Sequence, residues 1–211
     1  MEQFLEKLFE SIPKVRILRL FMQNPEHLFT FHEITERSRI KPRIVKSHLQ
    51  KFIKIGLVKR KRGKIHKEIK IGRDKKQKTI IKSISEDFYG VNPNFNFIRE
   101  LKDLVIKSSI TSKKKLLKYI RSLGNVKLAI ISGIFLKNNL TSRTDLLIVG
   151  DGITKKRIEN LLSRIESEIG RSIQYTLMDT EELKYRINMY DRFLRDILEY
   201  PHEKLINRLG I

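Results

Sequence analysis

Apolar spacing sets the first element. Val15, Ile17, Leu18, Leu20 and Phe21 recur at helical intervals, and Pro13 suits a first-turn position. Asn24-Pro25 ends this helix, because the residue before a proline is pushed out of the helical region. In "LFTFHEITERS", Thr30 is placed to cap a short helix whose third residue is Glu33, a capping-box pattern, with Ile34 facing inward. "RIKP" makes a turn. Pro42 then opens a longer helix, predicted to run to about Ile55 and to stop at Gly56. Its buried stripe is Val45, Leu49, Phe52 and Ile53, which leaves Arg43, Lys46, Ser47 and Gln50 on the other face.

At Leu57 the period changes. Ile65, Ile69 and Ile71, and then Ile80, Ile84 and Phe88, recur at about every second position, as strands require. Leu57 and Val58 start a strand, and "KRKRGK" (59–64) is predicted as a very basic hairpin-like tip ahead of the Ile65 run. Asn92-Pro93 breaks the second strand. Phe97, Ile98, Leu101, Leu104 and Val105 then form a helical stripe, and "KKKLLKYIRSLG" is a further helix ending at Gly124. This helix pair connects two halves, either as a dimer contact or by packing on the second half. The later pattern is strand "NVKLAIISG", strand "RTDLLIVG", and helix "TKKRIENLLSRIESEIG", whose stripe is Ile158, Leu161, Leu162, Ile165 and Ile169. Strand "SIQYTLM" and helices "DTEELKYRI" and "DRFLRDILEYP" follow. Tyr175, Tyr185 and Tyr190 are expected to pack.

A length of 211 residues with 40% apolar content supports one large domain or two small ones. No apolar run approaches the roughly 18–20 residues of a membrane helix, so no membrane partner is expected. The amphipathic start, with Glu2, Glu6 and Glu10, is unlike a signal peptide, and a cytoplasmic location is expected. With no cysteine there are neither disulfides nor thiolate metal sites. Charge changes the picture more. The chain carries +21, and Lys41 to Lys82 holds 17 Lys/Arg against Glu68 and Asp74, a net of +15. Gly124 to Ile211 holds 14 basic and 12 acidic residues, a net of +2. A cationic segment threaded by Ile44, Val45, Leu49, Phe52, Ile53, Leu57 and Val58 is a folded polyanion-binding face rather than a basic tail.

The stretch "FHEITERSRIKPRIVKSHLQKFIKIGLVKRKRGK" resembles the winged helix-turn-helix domains of prokaryotic transcription regulators, over about residues 13–91. The resemblance implies double-stranded DNA as partner. Lys41, Arg43, Lys46, Ser47, Gln50 and Lys51 would be presented by a helix in the major groove. Lys59, Arg60, Lys61, Arg62 and Lys64 would lie in a wing on the backbone or adjacent minor groove. Protein and RNA remain open as alternative partners of such a domain. A homodimer reading two half-sites is a further expectation.

The second half resembles the small nucleotidyltransferase domains of the polymerase-beta superfamily, including the ending "IQYTLMDTEELKYRINMYDRFLRDILEYP". That family uses a Gly-Ser pair after the first strand for the triphosphate, and Asp-x-Asp on the next strand plus a third carboxylate for two metal ions. Here Gly133 is followed by Ile134, Arg143 stands two positions before Asp145, and Gln174 and Tyr175 occupy the third strand. Asp145 is the one acidic residue between Asp103 and Asp151. A fixed cation about 4 Å from a metal site opposes a divalent ion by roughly 8 kcal/mol at an effective dielectric of about 20. Arg143 and Asp145 share a strand face and could pair with each other. The expectation is therefore a degenerate nucleotide site of Gly133, Lys137, Arg143 and Asp145, with no metal, no cofactor and no catalysis. It would serve as a scaffold for dimerisation or partner binding, or bind a nucleotide without metal.

The expected fold class is α+β: an N-terminal winged helix-turn-helix domain (1–91), a helical connector (92–124) and a small nucleotidyltransferase-like α/β domain (125–211). An active nucleotidyltransferase acting on nucleic acid or protein, and an RNA-binding protein, are the alternatives. His32 and Glu36, one helical turn apart, are two ligands at most and make no metal site. His48 belongs to the helix surface or to a phosphate or base contact.

Overall fold

The computed structural model describes residues 4–71, 78–108, 113–136 and 144–211. Over these the chain is a mixed α+β structure with two separate sheets. Helices α1 (Phe4–Leu8) and α2 (Ile12–Gln23) precede a short strand β1 (Phe29–Thr30). Helices α3 (Phe31–Ser38) and α4 (Pro42–Lys54) follow, then strands β2 (Val58–Ile71) and β3 (Lys78–Val91). The first sheet has the order β1-β3-β2, antiparallel throughout.

Local chemistry accounts for these boundaries. The Ser11 side chain accepts from the Lys14 amide at the start of α2. At α3, Thr30 Oγ1 accepts from the Glu33 amide at 3.2 Å, while Glu33 Oε2 accepts from the Thr30 amide at 2.7 Å. This reciprocal cap contributes about 1 kcal/mol. Gly56, at φ +77°, turns the chain from α4 into β2.

The first core joins Val15, Leu18, Phe21, Phe29, Ile34, Val45, Leu49 and Phe52. Ile53 departs from expectation: it is exposed, as is Ile44. Val45, Leu49 and Phe52 follow 3-and-4 spacing, and one residue past Phe52 turns about 100° away from that stripe. The stretch "KRKRGK" also departs from expectation: it lies within β2 rather than at a tip. The ladder runs unbroken from Val58↔Val91 to Ile71↔Lys78. Gly63 is needed there for space and not for a turn, since a Cβ would stand 2.8 Å from the Phe88 ring.

Helices α5 (Ile98–Ser108) and α6 (Lys113–Arg121) belong to different cores. Ile98, Leu101 and Val105 pack on the first, and Leu116 and Ile120 on the second. The second half continues with β4 (Val126–Ile131), a 3-10 turn (Gly133–Phe135), β5 (Leu146–Gly150), α7 (Lys155–Ile169) and β6 (Tyr175–Met178). It ends with α8 (Thr180–Asn188), α9 (Arg192–Glu199) and β7 (Glu203–Asn207). Its sheet order is β6-β5-β4-β7, with β5 and β6 parallel and the other pairs antiparallel. One face carries Ala129, Ile131, Leu146 and Ile148 against α6 and α7, and the other Leu128, Ile130, Leu147 and Val149 against α8 and α9. Covering both faces explains why β4 and β5 are continuous apolar runs. Strand β7 has no counterpart in the sequence expectation. It is a charged edge strand, and β4 supplies its pairing. Tyr175, Tyr185 and Tyr190 do not pack as expected; all three are exposed, Tyr190 by 87%, and Tyr175 lies on the edge strand β6. Tyr185 lies on the side of α8 away from buried Leu183, and Tyr190 in the turn that follows the helix, at φ 51°.

Helix α7 lies against α2 and α3 and joins the halves. Gly170 ends it at φ +84°. A Cβ there would come within 2.5–2.7 Å of the Arg19 and Leu20 backbone. Asn24 Nδ2 donates to the Gly170 carbonyl at 2.7 Å. Buried Arg19 donates to Glu6 Oε1 at 2.8 Å and to the Glu168 carbonyl at 3.1 Å. The Glu168 carboxylate takes Lys115 at 2.8 Å and the Tyr119 hydroxyl at 3.1 Å. Together α1, α2, α6 and α7 form one braced joint.

Candidate nucleic-acid interface

Two elements, α4 and β2, carry the cations of the expected DNA-binding face. On α4, Val45, Leu49 and Phe52 fix one side against the core. Arg43, Ser47, Gln50 and Lys54 therefore stand on the opposite side, with Lys46 and Lys51 flanking them, and all are exposed. The helix PRIVKSHLQKFIK contains no acidic residue, so this face has no internal counter-charge. Lys41 is exposed at its N-cap position. His48 is half-buried on the flank. Burial, then Lys51 and Lys14, hold its pKa below the ordinary histidine value, so it is neutral at pH 7 and adds no charge to the face.

The turn ahead of α4 is set by Arg39, a non-glycine residue in the left-handed region at φ 54°. Its guanidinium donates to the Ser163 hydroxyl at 3.3 Å and to the Asn160 carbonyl at 3.4 Å, both on α7. The second half thus helps to orient the helix that presents the cations. No signal in the local sequence announces this, because the contact spans more than a hundred residues.

Strand β2 divides its cations between two faces. Lys59 and Lys61 point to one side, and Arg60, Arg62 and Lys64 to the other. Arg60 meets Asp87 at 3.7 Å, and Arg62 Nε donates to Ser85 Oγ at 2.9 Å. Lys59, Lys61 and Lys64 form no ion pair among the described residues and are exposed. At the base, Val58, Tyr89 and Val91 hold the ribbon to the core. Tyr89 has its hydroxyl pKa raised by burial and by Asp87, against the opposing effect of Arg60.

The Gly133 turn is built differently. Asp145 is 7% exposed. Its Oδ1 accepts from the Ile134 amide and its Oδ2 from the Gln174 amide, each at 3.0 Å. Its own amide donates to the Gln174 carbonyl at 2.7 Å. Buried Ser132 donates to the Thr144 carbonyl. Both carboxylate oxygens therefore clip backbone together between β4, β5 and β6. Gly133 lies in the turn at φ 53°. Lys137 and Arg143, and with them the pairing expected between Arg143 and Asp145, lie outside the described residues. Among the described residues no cluster of three or more His, Cys, Asp or Glu could hold a metal ion. His32 and Glu36 stand 3.8 Å apart on an open surface.

No protein-family model, curated protein or solved structure matches the chain. Among the described residues, no helix is long and apolar enough to cross a membrane.

Asp151, at the end of β5, received no role from the sequence. It accepts from Lys127 at 2.6 Å and from the Thr180 amide and hydroxyl at 3.0 and 2.8 Å. These partners, Lys127 first, hold its pKa down to about 2. It is a brace between β4, β5 and α8. Only the fold brings its partners together, which is why spacing along the chain did not reveal it.

Proposed function

We propose that this protein is a DNA-binding transcription regulator of the winged helix-turn-helix type, followed by a catalytically inert nucleotidyltransferase-like half. One observation carries the reading: an acid-free, solvent-facing side of α4 continues into a ribbon with exposed cations on both faces. In this reading Arg43, Lys46, Ser47 and Gln50 reach base edges and phosphates in the major groove, and Lys51 and Lys41 hold the flanking backbone. Lys59, Arg60, Lys61, Arg62 and Lys64 grip phosphates alongside.

The reading is tested by binding to duplex DNA across a salt series. With about 6–10 phosphates neutralised, log affinity falls against log salt with a slope of roughly −5 to −9. An affinity nearly flat between low and moderate salt, or structured RNA outcompeting duplex DNA, sinks it. The inert second half rests on Asp145, whose two oxygens each hold a backbone amide. Metal-dependent incorporation of labelled nucleotide that is lost in Asp145→Ala would reverse that part.

A further inference from the structure

Helices α1 and α5 touch and share a face that the chain leaves uncovered. On α1, Leu5 enters the core and Glu6 reaches Arg19. Phe4 and Leu8, one turn apart, lie on the remaining side, 51% and 54% exposed. On α5, Ile98, Leu101 and Val105 pack inward. Phe97, in the turn just before α5, and Leu104 on the helix run along the flank of that stripe, 66% and 38% exposed. Single exposed apolar side chains are ordinary; four large ones on two touching helices and the turn that opens one of them mark a contact surface.

We propose that this face is the interface with a second copy of the chain, related by a two-fold axis. Charge selects the occupant. A chain of net +21 repels itself over most of its surface. Here the signs alternate. Exposed Lys7 lies one turn from Phe4 on α1, and exposed Glu100 lies one turn from both Phe97 and Leu104 on α5. Neither forms an ion pair among the described residues. In a two-fold interface a residue i that meets j is met by j in return. A lysine on one helix and a glutamate on the other therefore match themselves: Lys7 faces Glu100 of the second copy, twice. Around this face Lys7, Arg99 and Lys102 are offset by Glu100 and Asp103, whereas a polyanion or an anionic lipid surface finds acid-free cations on α4 and more on β2. The apolar face thus fits a copy of itself best.

Sedimentation of the full chain without nucleic acid tests this, so the result stands apart from whether DNA binds. From micromolar to tenth-millimolar concentrations the wild type should pass from the 25.0 kDa chain mass to twice that value. Leu8→Glu with Phe97→Glu should stay monomeric with unchanged helical circular dichroism. Lys7→Glu and Glu100→Lys, each alone, should weaken association about tenfold, and together restore it to within a few-fold. This charge exchange decides the matter if the apolar variant fails to fold. A wild type that remains monomeric throughout overturns the proposal, including one that instead binds anionic vesicles through this face. So does a dimer that survives Leu8→Glu with Phe97→Glu in folded form, or a charge exchange that restores nothing.

Discussion

The outer side of α4 and the turn around Asp145 treat polar groups in opposite ways. On α4, Arg43, Lys46, Gln50 and Lys51 are held on a rigid helix and given no partner charge on that helix. At the turn, Asp145 is buried and each of its oxygens is assigned to an amide of its own chain. A charge kept apart from counter-charges is available to something outside. A charge satisfied on all sides holds the fold. The distinction is invisible in residue type, since both regions combine polar and charged residues with a turn glycine.

The sharpest break comes from Asp145→Ala. It removes the carboxylate that the Ile134 and Gln174 amides both donate to, two charge-assisted hydrogen bonds, and urea unfolding should show a loss of about 3 kcal/mol. An unchanged or raised midpoint would mark Asp145 as a strained working group and erase the contrast. Next in size, Lys59→Ala with Lys61→Ala should cut duplex affinity by roughly 10–100-fold at moderate salt and reduce the salt slope by about 2. Stability should stay within about 0.5 kcal/mol, because neither lysine has an internal partner. A stability loss with affinity intact would make the ribbon structural. Gln50→Ala should cost about 1–3 kcal/mol against a preferred sequence and little against random duplex, as measured by competition. An equal loss on both would reduce Gln50 to a phosphate contact.

The smallest effect concerns Asp151, which resembles Asp145 in being satisfied internally but lies at the surface. Its folded pKa is depressed to about 2, below the ordinary carboxylate value, so its contribution is fully present above the unfolded pKa. That contribution is lost as pH falls through about 2. Asp151→Asn should therefore lower the thermal midpoint at neutral pH, with the gap from wild type closing under strong acid. A gap that does not change with pH would mean the carboxylate's charge is not what holds α8.

Much of the fold was legible because its causes are local. Thr30 and Glu33 cap α3 from three residues apart, Pro42 and Gly56 bracket α4, and alternation marks β2 and β3. The misses share another cause. Ile53 was placed inside by apolarity alone, although its helical angle turns it out. "KRKRGK" reads as a tip in the sequence, whereas it continues β2, and Gly63 leaves room for the Phe88 ring across the ladder. Strand β7 exists only because β4 offers it an edge. For the candidate interface, the α4 residues were readable from helical phase. The sorting of β2 cations onto two faces needed the strand register, and the Arg39 contacts needed the joint.

By itself the sequence determined the element types, the concentration of positive charge between Lys41 and Lys82, and the absence of thiol chemistry. These follow from side-chain period, capping and composition, which act over a few residues. Tertiary structure alone decided that Asp145 and Asp151 are braces. It also decided that α7 pins the turn ahead of α4, and that Phe4, Leu8, Phe97 and Leu104 share one uncovered face. Each of these depends on which groups meet across distant parts of the chain, and it is burial and partner geometry that turn the same carboxylate, arginine or leucine into a clip, a tether or a contact.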